Sequence, residues 1–359
     1  YENTPRHGMV IGSTGSGKSF TMNYLVLSLF ALDPKTSFVI VDIGGSYKRL
    51  CEVLSGNYFE ITLSEDFAIN PLPSKRAMLD EKGELDPDLL GYLRLLLEKM
   101  LGGKTGQAAK MILERAIRSL YTTTSNEIPR LGELVELLAA SGATDEDRRE
   151  AASLARNLTL YTEGSFGKIL NAPSRLSLFE GRLTVFDLAR LKEHRELQGI
   201  LIFMIGFGLA QKLRDLDSKK VVIIDEGWEF FDDALGSELV SRLYRTARKF
   251  NGSIITVSQS LKDFIKSKAS TAMIANSFWK MFLRLEMGHE TLAAFGLNPR
   301  QIEAVKSLVI KKGSYSEMLL QFGEFSRVAR LVPRPLDYWL ATTNAEECAL
   351  ESRIRAERK

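Results

Sequence analysis

The sequence predicts an α/β fold in which helices cover a mostly parallel β-sheet, interrupted by one all-helical insertion. Short apolar runs that end in polar or glycine residues recur along the chain, which is typical of strands buried inside a parallel sheet. Amphipathic or fully apolar helical segments separate several of these runs. The alternation lapses over residues 75–180, where the apolar spacing is helical and no good strand occurs.

Composition sets the limits of the interpretation. The 359 residues are 45% hydrophobic and 26% charged, as in an ordinary soluble protein with a large core. The 48 basic and 45 acidic residues nearly cancel, so total charge favours neither a nucleic-acid nor a membrane partner. Cys51 and Cys348 form no CxxC pattern and the histidines are scattered, so we expect neither a disulfide framework nor a zinc site.

The strands are expected in the runs HGMVIG, SFVIVD, LTVFDL, VVIIDE, SIITVSQ and WKMFLRL, followed by a hairpin of YSEMLLQF and SRVARLV. The uncharged run 197–211 is too short to span a membrane, so we interpret it as a buried helix. The chain starts at Tyr1, without an initiator Met and close to the first strand, which indicates a fragment of a longer protein.

Four segments follow from this pattern. We expect the first part of the α/β core over residues 1–74 and the helical insertion over 75–180, as a separate lobe packed over the strand ends. The insertion is entered through a turn containing Pro71 and Pro73. The second part of the core is expected over 181–340, and a polar C-terminal tail over 341–359.

The first apolar run leads into a complete G-x-x-x-x-G-K-[ST] pattern, with a long helical segment after it. Glycines let successive backbone N–H groups point at phosphate oxygens, and the helix presents its positive N-terminus to the same anion. Lys18 is expected to reach the β- and γ-phosphates, and Ser19 to ligate Mg²⁺. The residues expected to bind the nucleotide are Gly12, Ser13, Thr14, Gly15, Ser16, Gly17, Lys18, Ser19 and Phe20.

Hydrolysis also requires an acidic residue at the end of another buried strand. The run of β-branched residues 221–224 describes a central strand, after which Asp225 would hold the Mg²⁺ shell. Glu226 would then polarise the attacking water. Asp42 and Asp187 also end strands and are alternative metal residues, but a second carboxylate follows only Asp225.

Three further side chains are candidates for catalysis. Gln259 follows the SIITVS strand, where a polar group could contact the γ-phosphate or the attacking water; the alternative is a surface glutamine. Arg248, with Arg245 as second choice, lies outside the apolar stripe of the preceding helix. These arginines either form a solvated face or supply charge to a neighbouring subunit's phosphate.

Together these residues resemble the conjugative-transfer ATPases of type IV secretion systems, the TraC/TrbE group, within the RecA-like motors that include FtsK and HerA. The resemblance spans nearly the whole chain and includes VDIGGSYKRL, AINPLP, IIDEGWEFF, TARKFNG and TVSQSLKDF besides the phosphate loop. It implies a RecA-like fold that uses ATP and Mg²⁺. Members of the family usually carry an N-terminal domain that is missing here.

The resemblance also implies a homo-oligomer, a hexamer when full length, although this fragment alone could be a monomer. It implies inner-membrane secretion-channel components as partners and a location at the cytoplasmic face of the bacterial inner membrane. DNA binding stays undecided. A motor that pulls DNA directly, as FtsK and HerA do, is the first alternative, and hydrolysis stimulated by DNA would favour it. A scaffold stabilised by nucleotide is the second, and turnover abolished by Glu226→Gln would eliminate it.

Overall fold

The computed structural model of the chain describes residues 7–62, 68–172, 181–191, 193–214, 218–226, 234–259, 268–286, 288–344, 346–350 and 353. These residues belong to two compact units. Unit 1 consists of Tyr1–Glu60, Glu180–Ala189 and Leu213–Lys359, and unit 2 of Ile61–Phe179 and Arg190–Lys212. Several sequence features lie outside the described residues: Pro173, Trp228 of the DE-x-W pattern, residues 260–264 of SQSLKDF, and most of the tail beyond residue 350.

Unit 1 is built on a sheet with the strand order β10-β9-β7-β1-β6-β5-β2-β4-β3, and β8 pairs with β9. The strands from β7 to β3 in this order are all parallel, and β8, β9 and β10 add antiparallel pairs at one edge. The strands are β1 Gly8–Ile11, β2 Thr36–Asp42, β3 Asn57–Glu60, β4 Leu183–Asp187, β5 Lys219–Asp225, β6 Gly252–Ser258, β7 Trp279–Phe282, β8 Ile310–Lys311, β9 Tyr315–Phe322 and β10 Phe325–Leu331.

Helices flank this sheet in unit 1 and make up the regular structure described in unit 2. Those of unit 1 are α1 Lys18–Leu32, α2 Lys48–Val53, α10 Ala234–Lys249, α11 Lys268–Asn276, α12 His289–Ala294, α13 Pro299–Ser307 and α14 Pro335–Ala341. Those of unit 2 are α3 Lys75–Met78, α4 Pro87–Met100, α5 Gln107–Thr123, α6 Leu131–Ala139, α7 Asp145–Thr159, α8 Gly164–Leu170 and α9 Arg195–Leu213, whose last residue belongs to unit 1.

The central strands form because their side chains are apolar on both faces. Every residue of β2 is buried, and so is every residue of β1. Val10, Ile40, Ile223 and Val257, from four adjacent strands, share one hydrophobic cluster. A strand of this kind is stable only when helices cover both faces of its sheet. The predicted α/β class with a mostly parallel sheet is therefore confirmed.

The regular secondary structure described in unit 2 is helical, apart from an isolated bridge between Leu79 and Leu85. Its helices begin at residues suited to capping. Asp86 accepts hydrogen bonds from the first turn of α4, which starts with Pro87, and Thr144 caps α7 in the same way. Fully buried leucines form the core of the unit, among them Leu93, Leu97, Leu113, Leu134 and Leu158.

Helix α9 contains the apolar run that the sequence analysis interpreted as a buried helix. By length and composition alone it could cross a membrane, but 78% of its most apolar window is buried within the protein. Unit 2 thus contains most of α9 in addition to residues 61–179. It therefore includes more of the chain than the predicted insertion, which covered residues 75–180.

The antiparallel edge of unit 1 contains the predicted hairpin. β9 and β10 pair through a turn at Gly323, whose φ of 58° lies in the left-handed region. Several short elements had no clear signal in the sequence, because each has fewer than eight residues and no long periodic pattern; in unit 1 they include β3, α2, α12 and α14.

Candidate nucleotide-binding site

The loop between β1 and α1 has the conformation that its glycines permit. Gly15 and Gly17 have φ angles of 76° and 83°, in the left-handed region that other residues rarely adopt. Gly12 has no room for a side chain, because a Cβ atom there would lie 2.3 Å from Ser16 Oγ and 2.8 Å from Leu283 Cβ. The glycine pattern therefore reflects backbone geometry and close packing at this loop.

Lys18 is held inside the loop. Its Nζ donates hydrogen bonds to the carbonyl oxygens of Gly12 at 2.8 Å and Ser13 at 3.2 Å. Burial lowers the pKa of Lys18, and the negative charges of Glu226 and Asp225 oppose that shift. A phosphate oxygen is a stronger, charged acceptor than these carbonyls, so the ammonium group is placed to bind one.

Contacts from two neighbouring strands fix the same loop. Ser13 donates its backbone N–H to the carbonyl oxygen of Arg284 at 3.2 Å, and its hydroxyl accepts from Glu286 N at 3.1 Å. On the other side, Thr14 Oγ1 donates to Gln259 Oε1 at 2.8 Å. Gln259 directly follows β6, which lies between β1 and β5. The phosphate loop is thus tied to the carboxyl ends of both strands adjacent to β1.

Three aspartates end adjacent strands at one edge of the sheet. In the strand register Asp42 lies opposite both Asp225 and Asp187. Asp42 accepts from the backbone N–H groups of Gly44 and Ser46, and Asp187 from Ala189 N and from the hydroxyl of Tyr58. Both oxygens of these two carboxylates are therefore engaged within the protein.

Asp225 differs from the other two aspartates. Among the described residues its hydrogen-bond donor is Tyr47, whose hydroxyl lies 2.8 Å from Oδ2, so Oδ1 is left for another ligand. Burial raises the pKa of Asp225 to about 7, and the charge of Glu226 adds to that shift. Burial and the charge of Asp225 likewise raise the pKa of Asp42. A divalent cation beside Asp225 would offset this concentration of negative charge.

Glu226 follows Asp225 with an unusual backbone. Its φ of 60° lies in the left-handed region, which costs a non-glycine residue on the order of 1 kcal/mol or more. Its N–H donates to the carbonyl oxygen of Val257 at 3.1 Å, which keeps the residue joined to β6. Such strain is common at functional sites. The kink ends β5 at the point where Glu226 lines a cavity.

These groups surround a cavity of about 560 Å³. Of the predicted residues it is lined by Thr14, Gly15, Gly17, Lys18, Ser19, Phe20, Asp225, Glu226 and Gln259. The loop residues Gly12, Ser13 and Ser16 do not line it but support the residues that do. Within the described residues no cluster of three or more His, Cys, Asp or Glu side chains could enclose a metal ion. The Ser19 hydroxyl and the Asp225 carboxylate are oxygen ligands that suit Mg²⁺ when phosphate oxygens complete its shell.

The two arginines lie elsewhere on unit 1. Arg245 and Arg248 are exposed on α10 and do not line the cavity. Burial, together with the nearby positive charge of Arg248, lowers the pKa of His7 to about 4. His7 directly precedes β1, whereas the phosphate loop follows it, so Arg248 lies towards the opposite end of this strand. The structure therefore does not bring Arg248 to the phosphate loop of its own chain.

Sequence reasoning missed the other wall of the cavity. It is formed by Gly44 and Ser46, by the segment from Ile310 to Ser316, and by Pro333, Tyr338, Thr342, Thr343 and Asn344. The Tyr338 ring contacts that of Phe20, with centroids 5.4 Å apart. Gly44 and Ser46 belong to VDIGGSYKRL, and Tyr315 and Ser316 belong to the predicted hairpin strand YSEMLLQF, but neither stretch was predicted to line the cavity. The pairing of β9 with β7, which joins this hairpin to the parallel strands, is predicted by no local pattern.

Comparison with known proteins agrees with this architecture. The family model of the TraG P-loop domain matches residues 2–357. Protein TraC of Escherichia coli is 27% identical over 358 residues, which cover 93% of this chain and 39% of TraC. VirB4 of Brucella abortus biovar 1 is 21% identical over 350 residues, 92% of this chain and 40% of that protein. The chain thus spans about two fifths of the length of these relatives.

Solved structures show the same fold. VirB4 of Thermoanaerobacter pseudethanolicus superposes with a TM-score of 0.71 at 21% identity, covering 92% of this chain and 90% of that one. The plasmid coupling protein TrwB, in complex with the ATP analogue ADPNP, has a TM-score of 0.58 at 14% identity, covering 92% and 86%. Both likenesses support a RecA-like P-loop fold. Because the family model matches nearly the full length of this chain, the chain belongs to the TraG P-loop domain family.

Proposed function

We propose that this chain is the ATP-hydrolysing motor domain of a type IV secretion or conjugation system. The observation that carries the proposal is the shared cavity of about 560 Å³. Lys18 and Ser19 reach it from the start of α1, and Asp225 and Glu226 reach it from the end of β5. Phosphate-binding and water-activating groups thus meet in one space, as phosphoryl transfer to water requires.

Each residue has a distinct role in this proposal. The backbone N–H groups of the loop and Lys18 bind the β- and γ-phosphates, while Ser19 and Asp225 hold the metal that accompanies the nucleotide. Mg²⁺, when bound, offsets charge on the phosphate oxygens. Glu226 accepts a hydrogen bond from the attacking water and orients it towards the γ-phosphorus. Gln259, linked to Thr14, lies where it can sense the γ-phosphate.

The names of the relatives support the biological setting. VirB4 of Brucella and CagE of Helicobacter pylori are named as type IV secretion system proteins. TrwB has been solved with ADPNP and with ADP and Mg²⁺, which supports ATP and Mg²⁺ as ligands here. We further propose that the full-length protein is a homo-oligomer, a hexamer, that acts with secretion-channel components at the cytoplasmic face of the inner membrane, energising pilus assembly or substrate transfer.

The test is steady-state ATP hydrolysis by the purified protein. Lys18→Ala should abolish nucleotide binding or turnover, because it removes the cation of the phosphate loop. Glu226→Gln should still bind MgATP but lose turnover, because its shape stays and its charge is removed. Lys306→Ala and Glu303→Gln, from an exposed ion pair on α13 outside the cavity, are the matched controls and should behave like the wild type.

Three outcomes would contradict the assignment. Wild-type turnover in Lys18→Ala would refute the site. Equal loss of nucleotide binding in Glu226→Gln would make that residue structural. ATP turnover that rises several-fold when DNA is added, together with DNA binding by the protein that falls steeply with salt, would instead indicate a motor that pulls DNA.

A further inference from the structure

The VDIGGSYKRL stretch has no role in the scheme above, yet its first residues form a defined turn at the cavity. The Asp42 carboxylate accepts from Gly44 N at 2.8 Å through Oδ1 and from Ser46 N through Oδ2. Gly45 between them has a φ of 74°. Asn23 of α1 donates to the Ser46 carbonyl oxygen at 3.3 Å, which ties the turn to the helix after the phosphate loop. This turn, residues 42–46, is therefore anchored on both sides.

The turn delivers Tyr47 into the core. Tyr47 is completely buried and belongs to the same hydrophobic cluster as Val10, Ile40 and Ile223. Its only polar side-chain atom is the hydroxyl, which donates to Asp225 Oδ2 at 2.8 Å. The ring is thus wedged between apolar neighbours, and its hydroxyl is fixed against the carboxylate at the end of β5.

We propose that Tyr47 is a positioning residue for the metal-binding carboxylate of Asp225. The hydroxyl occupies Oδ2 and restricts rotation of the carboxylate, so that Oδ1 faces the site of the Mg²⁺ that accompanies the nucleotide. This inference rests on the proposed function. Hydrogen bonds from such supporting residues orient metal ligands, and their loss commonly costs about 10- to 100-fold in metal affinity or activity.

The neighbouring Tyr58 provides an internal comparison. Its hydroxyl donates to Asp187 Oδ2, so the same residue pair occurs two strands away on the same sheet edge. Asp187 Oδ1, however, accepts from Ala189 N at 2.8 Å, so both oxygens of this carboxylate already accept a hydrogen bond within the protein. The two tyrosines therefore make equivalent bonds, but only the bond of Tyr47 supports a carboxylate with a free oxygen.

The experiment compares Tyr47→Phe with Tyr58→Phe. The affinity for a fluorescent ATP analogue is measured in EDTA and then during a Mg²⁺ titration. We expect Tyr47→Phe to match the wild type within about twofold in EDTA, because the phosphate loop is intact. In Tyr47→Phe, the Mg²⁺ concentration that gives half of the maximal increase in affinity for the ATP analogue should rise about 10- to 100-fold. Tyr58→Phe should titrate like the wild type.

A second pair of variants covers the case in which Tyr47→Phe folds poorly, as judged by thermal unfolding. Gly45→Ala strains the turn that delivers Tyr47, and its Cβ would meet nothing closer than Asp187 Oδ2 at 3.6 Å. We expect a shift of the Mg²⁺ titration in the same direction. Gly83→Ala introduces equal backbone strain in unit 2, where a Cβ meets nothing within 4 Å, and should leave the titration unchanged.

A double-mutant cycle with Asp225→Asn tests the pairing directly. If Tyr47 acts through Asp225, Tyr47→Phe should add no further loss of Mg²⁺-dependent binding in the Asp225→Asn background. An unchanged Mg²⁺ titration in Tyr47→Phe, or an equal shift in Tyr58→Phe, would overturn the inference while leaving the proposed function intact. A wild-type protein whose nucleotide affinity does not respond to Mg²⁺ would overturn both.

Discussion

At the residue scale, the site depends on a few side chains held by backbone geometry. Glu226 leaves the strand at a left-handed φ of 60°, and Gln259 reaches the phosphate loop through Thr14 at 2.8 Å. The sequence predicted both residues from their positions after strands. It could not predict Tyr47 as a partner of Asp225, because 178 residues separate them and only the pairing of β2 with β5 brings them together.

Gln259→Ala tests the proposed role of the glutamine. We expect turnover to fall about 100-fold, the size of effect seen when a donor to developing negative charge is removed, with nucleotide affinity nearly unchanged. Thr14→Val removes the hydrogen bond but keeps the glutamine, so its turnover should fall less than that of Gln259→Ala. Turnover within twofold of the wild type in Gln259→Ala would make the residue a surface glutamine.

Gly8→Ala tests packing beneath the phosphate loop. A Cβ at Gly8 would lie 1.9 Å from the indole of Trp279 on the adjacent strand, so β1 and β7 must separate or the ring must move. We expect a loss of about 1–3 kcal/mol in the free energy of unfolding, measured by urea denaturation. Gly288→Ala, where a Cβ meets nothing within 4 Å, should be nearly neutral, and an equal loss in both variants would contradict the packing argument.

At the element scale, the order of strands explains how the site is assembled. β6 lies between β1 and β5, so Asp225 is two strands away from the phosphate loop and Gln259 stands between them. The apolar runs were enough to predict the long strands, but they contain no information about which strands are neighbours. β3 and α2 escaped prediction because four and six residues are too few for a periodic signal.

Helix α10 is the element on which communication between subunits can be tested. Arg248 lies near its C-terminal end, towards the end of β1 opposite the phosphate loop of the same chain, so a catalytic role requires a neighbouring subunit. Arg248→Ala and Glu226→Gln subunits, each inactive alone, should recover part of the ATPase activity when mixed. An arginine finger is worth about 10³- to 10⁵-fold in rate, so partial recovery is measurable.

The same mixing experiment is repeated with Arg245→Ala, because Arg245 is the second candidate for the arginine that acts on a neighbouring subunit. Hetero-oligomers must first be demonstrated, for example by differential tagging and co-purification. If such mixtures show no recovery for either arginine, the face of α10 that carries them has no catalytic role.

At the scale of the whole molecule, the chain is divided between an α/β unit and a helical unit. The sequence predicted a helical insertion over 75–180 from its periodicity. It assigned the run 197–211 to the core, whereas α9 belongs almost entirely to unit 2. A uniformly apolar helix carries no directional pattern, so nothing in its sequence shows which unit will bury it.

Hydrogen exchange can show whether unit 2 responds to the nucleotide. The chain enters unit 2 directly after β3 and again two residues after Leu188, which follows the carboxylate of Asp187. We expect exchange in α4 and α5 to differ between the ATP-bound and ADP-bound Glu226→Gln protein. Identical protection in both states, with changes confined to unit 1, would show that unit 2 does not follow the nucleotide.

His7 should make one contribution to the pH dependence of stability. This side chain is 5% exposed, accepts from Ile254 N through Nδ1 at 3.0 Å, and has a pKa lowered to about 4 by burial. The unfolded chain binds a proton at this histidine near pH 6.5, so the contribution of His7 to stability is complete above that pH and falls as the pH drops towards 4. We expect His7 to contribute a loss on the order of 2–3 kcal/mol to the free energy of unfolding over this window, whereas the raised pKa of Asp225 contributes in the opposite direction.

His7→Asn removes the titration and offers its Oδ1 as acceptor in place of Nδ1. The free energy of unfolding of the variant should therefore rise relative to that of the wild type as the pH falls from 6.5 to 4. His289→Asn, at an exposed position, should follow the wild-type pH profile. Parallel pH profiles for the wild type and His7→Asn would show that His7 contributes nothing to acid sensitivity.

The position of β1 also has a consequence for synthesis on the ribosome. Among the described strands β1 is translated before the others, but its two sheet neighbours are β6 and β7, so Val10 can pair only after Val257 and Met281 have been synthesised. At about 5–20 residues per second, this delay lasts on the order of 10 to 50 s. Throughout that time a fully apolar strand emerges with both edges open, which is the kind of nascent segment that chaperones must shield. Helical unit 2, whose contacts are more local, can complete its folding before the nucleotide site begins to form.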